Sequence, residues 1–562
     1  MSMTDEKFEV REARVNLLRQ YPIDGIAVKR LAEAGTNWLE ANKQTVNALN
    51  VFPVPDGDTG TNMLLTMKSA MEEIENSGER SAGKMLDALA KGALMGARGN
   101  SGVILSQLWR GFAKAVEGKD LIDTKTAIEG FASARDTAYK GVVRPVEGTI
   151  LTVAKDVAEA TAKFTNGHTA DAISVIQVAR DAAAESVERT PDLLPILKEA
   201  GVVDSGGKGF FYILEGMLRW VYGQQIHTAE SVTQPLAAIN FEHTMEAVEA
   251  GQDYEVVVDF RPHQPLDLEG FYRDLETMGT SIQVGEGDGM FRMHIHVPTE
   301  KRYEPIDYTM GLGTVTNVAI ENLMAQMDEI GAHAGDLNLA AVDPEHIAVV
   351  AVAPGRGIAR HFAELGAAAI IEGGQTMNPS TKDILSAFEN LPAERIVILP
   401  NNKNIVLAAN AAVELTVKQA QVVPTISAPQ GLAAMLRLAP DGDFDDVVKD
   451  MQAAMQDVET GEITTATRDV EIDGVKVEEG QIIGLHNGKL VVSTSTLEQG
   501  CLDLLKEIGA ENYEIAAMFY GEELDQQEGE RIAALLQDAY PNLEVEVHAG
   551  GQPHYQFIFS IE

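Results

Sequence analysis

The chain has 562 residues, 45% of them hydrophobic and 23% charged, with a formal net charge of −41. This is the balance of a folded protein of several domains, and its acidity disfavours nucleic acid and anionic membranes as partners. A single cysteine, Cys501, excludes an intrachain disulfide framework and a cysteine-rich zinc site.

The first residues lack the apolar core of a secretory signal, and apolar runs such as 347–353 are too short to span a bilayer. A cytoplasmic protein with no transmembrane segment is expected. Residues 9–222 read as helical. Segments near 25–49, 61–76, 82–96, 101–117, 124–138, 147–162, 168–186 and 207–221 carry apolar residues at helical spacing. Glycines and prolines, among them Gly60, Gly99, Gly141, Pro191 and Gly206, punctuate them. About eight such helices predict an all-α bundle or barrel whose loops gather the polar motifs.

The pattern lapses over 223–240, which reads as a linker. Period-two alternation follows in 254–260 and 293–297, with a helical stretch near 266–278 between them, so 240–335 predicts a small middle α/β domain. From 345 to 562 strands and helices alternate: strands at 347–353, 368–371, 395–399 and 421–423, helices at 381–389 and 404–415. A helical stretch near 443–458 and a hairpin-rich piece (467–494) interrupt the rhythm, which resumes with strands at 513–520, 543–548 and 555–561 and a helix at 526–540. This predicts a C-terminal α/β domain with a largely parallel sheet.

Four loops in the helical region carry chemistry. Val54-Pro55-Asp56-Gly57-Asp58-Thr59-Gly60-Thr61-Asn62-Met63 sets two carboxylates two residues apart, among glycines, before a helix. Hard carboxylate oxygens suit Mg²⁺, and amides opening the helix suit phosphate, although a bare Asp-x-Asp is also what an ordinary turn contains. Met95-Gly96-Ala97-Arg98-Gly99-Asn100-Ser101-Gly102 offers amides, a hydroxyl and a guanidinium able to cradle phosphates. Arg144-Pro145-Val146-Glu147-Gly148-Thr149 and Val203-Asp204-Ser205-Gly206-Gly207-Lys208-Gly209 are two further polar loops, the latter also leading into a helix.

In this order the four motifs resemble the DhaL nucleotide-binding domain of dihydroxyacetone kinases, over residues 9–222. The resemblance implies an antiparallel eight-helix barrel with ATP at one end and two Mg²⁺ ions. By position it implies Asp56 and Asp58 as metal ligands, with Thr61 beside them in the catalytic corner. Thr61, through its amide, and Asn62, Asn100, Ser101 and Gly102 would lie by the phosphates, with Thr149 and Asp204 flanking the nucleotide. A third aspartate precedes these two in that family; here the nearest upstream polar groups are Asn47 and Asn50, and Asn50 is the candidate third magnesium ligand.

Over nearly its full length the chain resembles the ATP-binding subunit of bacterial fatty acid kinase (FakA-like). The carriers are the domain order, Asn47-Ala48-Leu49-Asn50-Val51-Phe52-Pro53 and the strand His294-Ile295-His296. The resemblance implies phosphorylation of a fatty acid carboxylate, presented by a separate fatty-acid-binding partner protein, to an acyl phosphate. It also implies a C-terminal platform for docking that partner, and a homodimer formed through the middle domain. In that family two histidines join a cysteine on zinc; the positions here are His294, His296 and Glu255, so the site is either a His/His/Glu variant or absent. By spacing alone the two histidines read first as a surface pair on an edge strand.

Arg356, Lys403 and the glycine-rich turns of the last domain mark either a crevice at strand ends or ordinary connections. Cys501 lies in an apolar-periodic stretch and reads as core. Two rivals stand beside the kinase reading. One is a dihydroxyacetone-type kinase subunit, whose substrate-binding histidine motif is not found here. The other is a non-catalytic nucleotide-binding regulator.

Overall fold

The computed structural model describes residues 23–51, 57–142, 144–164, 171–224, 234–235, 254–275, 277–287, 290–322, 337, 339–466, 470–472 and 475–562. Two compact units result: Met1–His227 with Asn338–Glu562, and Thr228–Leu337.

The helical region contains α1 (Gly25–Ala41), α2 (Lys43–Ala48), α3 (Thr59–Ile74), α4 (Ala82–Met95), α5 (Gly99–Val116), α6 (Thr124–Lys140), α7 (Ile150–Lys163), α8 (Ala172–Leu193), α9 (Pro195–Glu199) and α10 (Ser205–Val221). Asp24, Asp123, Thr149, Asp171 and Asp204 each accept a first-turn N–H, fixing where α1, α6, α7, α8 and α10 begin. The stretch 25–49, which reads as one helix, is two helices broken at Asn42, and α8 begins later than its periodicity, at the Asp171 cap, and runs on to Leu193. Pro191 lies inside the last turn of α8 and does not break it. The Val187 carbonyl, which Pro191 cannot bond, accepts the Thr190 hydroxyl instead.

Packing runs from α1 to α10, α8, α7, α6, α5, α4 and back to α1, with α3 against α1, α4, α5 and α10. Met63, Met67, Ile74, Leu86, Leu89, Val157 and Val187 are among the fully or nearly fully buried side chains of this core. An apolar cavity of about 80 Å³ lies in it, lined by residues including Leu31, Leu105, Leu108 and Met217. At one end the chain entering α1 bridges Ile23 to Ile122, and Ala82 N donates to Asp120 O, so α1, α4 and α6 begin together.

The middle unit is a sheet in the order β1-β3-β4-β2-β5, comprising β1 (Gln234–Pro235), β2 (Tyr254–Pro262), β3 (Thr280–Gly287), β4 (Met290–Val297) and β5 (Gly313–Asn322). Helices α11 (Leu268–Leu275) and α12 (Glu304–Leu312) contribute Phe271 and Tyr308, whose rings lie against each other, and Phe271 also packs on Phe260. Val256, Val258, Phe260, Phe291, Met293 and Ile295 alternate into that core. Arg292 and Asp259 pair across β4 and β2 on the opposite face.

The C-terminal region differs from the single, largely parallel sheet its rhythm predicts. Strands β6 (Ile347–Ala353), β7 (Ala369–Glu372), β8 (Arg395–Leu399) and β9 (Gln419–Val422) do form a parallel sheet in the order β7-β6-β8-β9. Its helices are α13 (Arg356–Glu364), α14 (Thr381–Glu389), α15 (Val406–Leu415), α16 (Ala428–Met435) and α17 (Phe444–Ala454). The later strands build a separate mixed sheet in the order β14-β13-β10-β17-β15-β16, in which β15 and β16 alone pair in parallel. Its strands are β10 (Glu459–Thr465), β13 (Ile482–His486), β14 (Lys489–Thr494), β15 (Ile515–Tyr520), β16 (Glu544–Ala549) and β17 (Tyr555–Ile561), and β11 (Val470–Ile472) with β12 (Val475–Val477) forms a hairpin beside it. The polar strand β10 (ETGEITT) sits at its centre and gives little apolar signal in sequence. Helices α18 (Leu497–Ile508) and α19 (Gln526–Ala539) cover this sheet, and Cys501 is fully buried in its core.

The two sheets join where the Gly550-Gly551-Gln552 turn meets the start of α13. Gly550 O accepts from Gly357 N at 2.9 Å and Ile358 N at 3.2 Å. A Cβ at Gly357 would lie 1.6 Å from Ala549 O, a backbone atom that cannot step aside. Gly357→Ala is therefore expected to cost about 3 kcal/mol, the upper range for overpacking, read as a lower urea midpoint for the C-terminal transition; an unchanged midpoint would show that this junction yields.

Candidate functional site

The amino termini of four helices meet at one corner of the helical region. Ser205 Oγ, opening α10, donates to Thr59 Oγ1, opening α3, at 3.2 Å. The Asp204 carboxylate accepts from Gly207 N of α10 at 2.7 Å and also from the Ile150 amide that opens α7. Gly99, opening α5 with φ +58, lies directly against the Asn62 carboxamide of α3; a Cβ there would be 2.6 Å from Asn62 Nδ2. A left-handed backbone and this close approach both require glycine. Convergent helix starts gather unsatisfied N–H groups and positive dipole ends, an environment that favours anions.

Asp58 is buried beside these starts and makes no capping bond to its own helix. Asn47 does that work: its Oδ1 accepts from Gly60 N at 2.7 Å and Thr61 N at 3.1 Å, and its Nδ2 donates to the Thr61 hydroxyl at 3.1 Å. The Thr61 amide, which sequence assigns to phosphate, is thus already engaged. Asn50 is buried nearby in sequence, with its N–H on Asn47 O. Arg98, at the N-cap of α5, makes no capping bond, so the first-turn amides at Asn100 and Ser101 carry none from it. Gly102 packs α5 on α3: a Cβ there would lie 2.3 Å from Thr66 Oγ1. Thr149 Oγ1 donates to Val146 O at 2.7 Å and accepts from Leu151 N at 3.4 Å. Burial pushes the Asp204 carboxyl up to about 7 despite its two amide donors. Asp56 lies outside the described residues.

The C-terminal layer reaches into the same corner. Asn378, in the loop before α14, is 3% exposed and donates from Nδ2 to Asp58 Oδ2 at 2.6 Å. Its Oδ1 is buried and has no hydrogen-bond partner among the described residues, an arrangement that costs about 1–3 kcal/mol unless something binds there. Arg98, which sequence offers to phosphate, instead donates to Asn378 O at 2.9 Å and pairs with Asp383 at 3.3 Å. The guanidinium is spent on the C-terminal layer. Thr381 N donates to Ala97 O at 3.1 Å, and Asn100 Nδ2 donates to Asn404 Oδ1 at 3.0 Å. Ala97 and Val103 share a core with Ala348, Ile396 and Ile398. Nothing in the sequence around Asn378 marks it, because its partner Asp58 is 320 positions away.

Among the described residues no three His, Cys, Asp or Glu side chains converge to hold a metal. A carboxylate beside a buried carboxamide oxygen without a partner nevertheless fits a hard divalent cation, which takes Asp and Asn oxygens. On β4, the His294 and His296 rings lie 5.0 Å apart on the polar face, and the β2 register sets the Glu255 backbone opposite His296. The Glu255 side chain lies outside the described residues.

A crevice does exist at the strand ends of the C-terminal region. Its cavity measures about 70 Å³, and Lys403, Gln375, Ser427, Glu462, Asn487 and Tyr555 are among its lining residues. Burial pushes the Glu462 carboxyl up to about 7 against the pull of Lys403. Arg356 is not among the lining residues. No described helix is long and apolar enough to cross a membrane.

Three family models match the chain in order: the DAK2 domain over 53–219, the FakA-like middle domain of fatty acid kinase over 250–330 and the FakA-like C-terminal region over 348–562. An uncharacterized protein of Staphylococcus aureus strain USA300 is 39% identical over 535 residues, covering 94% of this chain and 97% of its own length. One from Staphylococcus epidermidis is 38% identical over 539 residues, with 94% and 97% covered. Among solved structures, the dihydroxyacetone kinase of C. freundii aligns with a TM-score of 0.25 at 20% identity, covering 34% of each chain. The Streptococcus pneumoniae fatty acid kinase B3 protein loaded with linoleic acid aligns with a TM-score of 0.26 at 12% identity, covering 34% of this chain and 77% of its own. At such scores these two likenesses carry no weight for fold or function. The near-complete coverage of the staphylococcal relatives and the three ordered matches do: the chain belongs to the FakA-like family of fatty acid kinase proteins.

Proposed function

We propose that this chain is the ATP-dependent subunit of a fatty acid kinase, transferring the γ-phosphoryl group of ATP to a fatty acid carboxylate presented by a separate lipid-binding protein. The observation that carries this reading is the meeting of four helix starts around the buried carboxylate of Asp58, in a chain of this family. The helical region is taken as an antiparallel eight-helix barrel, a reading supported by the closed circuit of seven helices with α3 packed against it. Asp56 and Asp58 would hold Mg²⁺, which when bound neutralises phosphate charge as the phosphoryl group moves.

The first turn of α5 has amides not capped by Arg98, together with the Asn100 and Ser101 side chains, and is the phosphate-binding element in this reading. Thr61 and Asn47 act together to hold the start of α3, and so the backbone that carries Asp58. An ionised carboxylate attacks phosphorus through its own oxygen lone pair. The bond from the γ-phosphorus to the bridging oxygen breaks, ADP leaves, and no proton has to be removed from the acceptor. No general base is therefore assigned.

Asp56→Ala and Asp58→Ala are each expected to lower acyl phosphate formation with a lipid-loaded partner by roughly 10²–10³-fold, with circular dichroism unchanged. Turnover within a fewfold of the parent would refute the metal role. Dihydroxyacetone supplied as acceptor is expected to receive no phosphate; efficient transfer to it would favour a ketone kinase instead.

The Asp204 carboxyl, raised from 3.8 to about 7, keeps a proton in the folded chain that the unfolded chain has already released. Its contribution to stability is thus lost as pH rises from about 4 to about 7. In urea melts of nucleotide-free protein, Asp204→Asn is expected to gain on the parent as pH rises from about 4 to about 7, and to hold that gain above it. A variant that instead loses ground as pH rises would show that this carboxyl is ionised on folding.

A further inference from the structure

We propose that Asn378 completes the Asp58 cation site, its Oδ1 serving as a neutral oxygen ligand contributed by the C-terminal layer. This rests on the reading that Asp58 holds the metal of a metal–nucleotide complex. Asn378 and Asp58 are both buried and joined directly, Nδ2 to Oδ2 at 2.6 Å. The second polar atom of the same carboxamide, Oδ1, is enclosed without a hydrogen-bond partner among the described residues. A buried polar oxygen beside a carboxylate is the kind of group a divalent cation satisfies.

The placement of Asn378 is held on both sides. Arg98 binds its backbone oxygen, and two residues later Ser380 and Asp383 form a reciprocal capping box that fixes the start of α14. The Thr381 amide is tied to Ala97 O. On the helical side, Gly99 admits the Asn62 carboxamide, 2.6 Å from where a Cβ would lie, and borders Asn378 Nδ2, at an ordinary contact distance of 3.7 Å from the same point. The carboxamide serves two states. Without a cation, its N–H donates to Asp58 and offsets the buried negative charge. With one, Oδ1 would supply the oxygen that is otherwise enclosed without a partner among the described residues. Being neutral, the ligand adds a hard donor without adding charge to a corner that already carries carboxylates.

The test is Mn²⁺ binding to the full chain with a non-hydrolysable ATP analogue, counted by electron paramagnetic resonance, in Asp58→Asn, Asn378→Ala and Asn378→Asp. Asp58→Asn is expected to lose the tight site; if it binds Mn²⁺ like the parent, the underlying metal reading fails and this proposal with it. With Asp58→Asn defective, Asn378→Ala is expected to bind roughly tenfold more weakly and Asn378→Asp, which restores an oxygen, at least as tightly as the parent. Asn378→Ala within about twofold of the parent would overturn the ligand role alone. So would Asn378→Asp as weak as Asn378→Ala, because then only the N–H to Asp58 matters.

Discussion

Helix starts carry N–H groups that no residue of the same helix can satisfy, and this protein brings four of them to one corner. That demand organises the surrounding chemistry. Asn47 answers for α3, Thr149 and Asp204 for α7, and Asp204 for α10. Arg98 leaves α5 without a capping bond, since it is a cation and turns away to Asp383 and Asn378 O. The division of labour separates helix starts that are closed by the protein from the one whose residues face the proposed phosphate chemistry.

Closing these termini with neutral amides and a buried carboxyl has an electrostatic consequence. The chain as a whole is strongly acidic, so binding a polyanion depends on local groups and not on the overall field. Asp204 shows how far burial goes: two amide donors do not prevent its carboxyl from rising to about 7. Asp58 is buried as deeply but faces a carboxamide from the C-terminal layer. The first carboxyl is built into helix ends; the second is aimed at the space between two parts of the chain.

Much of the local structure was legible. The strands at 395–399 and 555–561 and the helix at 381–389 fall where their patterns place them, because the strands are continuous, largely buried apolar runs and the helix keeps one buried face. The FakA-like resemblance was also legible, in the order of the three regions and in the short stretches 47–53 and 294–296, while the ordered glycine-rich loops carried the likeness to the nucleotide-binding domain. Sheet membership was not. Strands after 459 continue the same visual rhythm yet pair mostly antiparallel in a second sheet, since side-chain alternation is identical for parallel and antiparallel strands. At the site, Arg98 looked like a phosphate ligand because an isolated guanidinium beside a glycine-rich turn has no visible competitor; Asp383 supplies one.

Sequence alone determined the elements that follow from neighbouring residues: which segments are helices, and that Asp56 and Asp58 stand before α3. Tertiary structure alone decided that the helical region and the C-terminal layer share a core and a corner, through Ala97, Val103, Asn378 and Asn404. The physical reason is one of range. Periodicity and capping act over a turn or two of chain and leave a local trace, whereas a hydrogen bond between residues 320 positions apart depends on packing that no local pattern encodes.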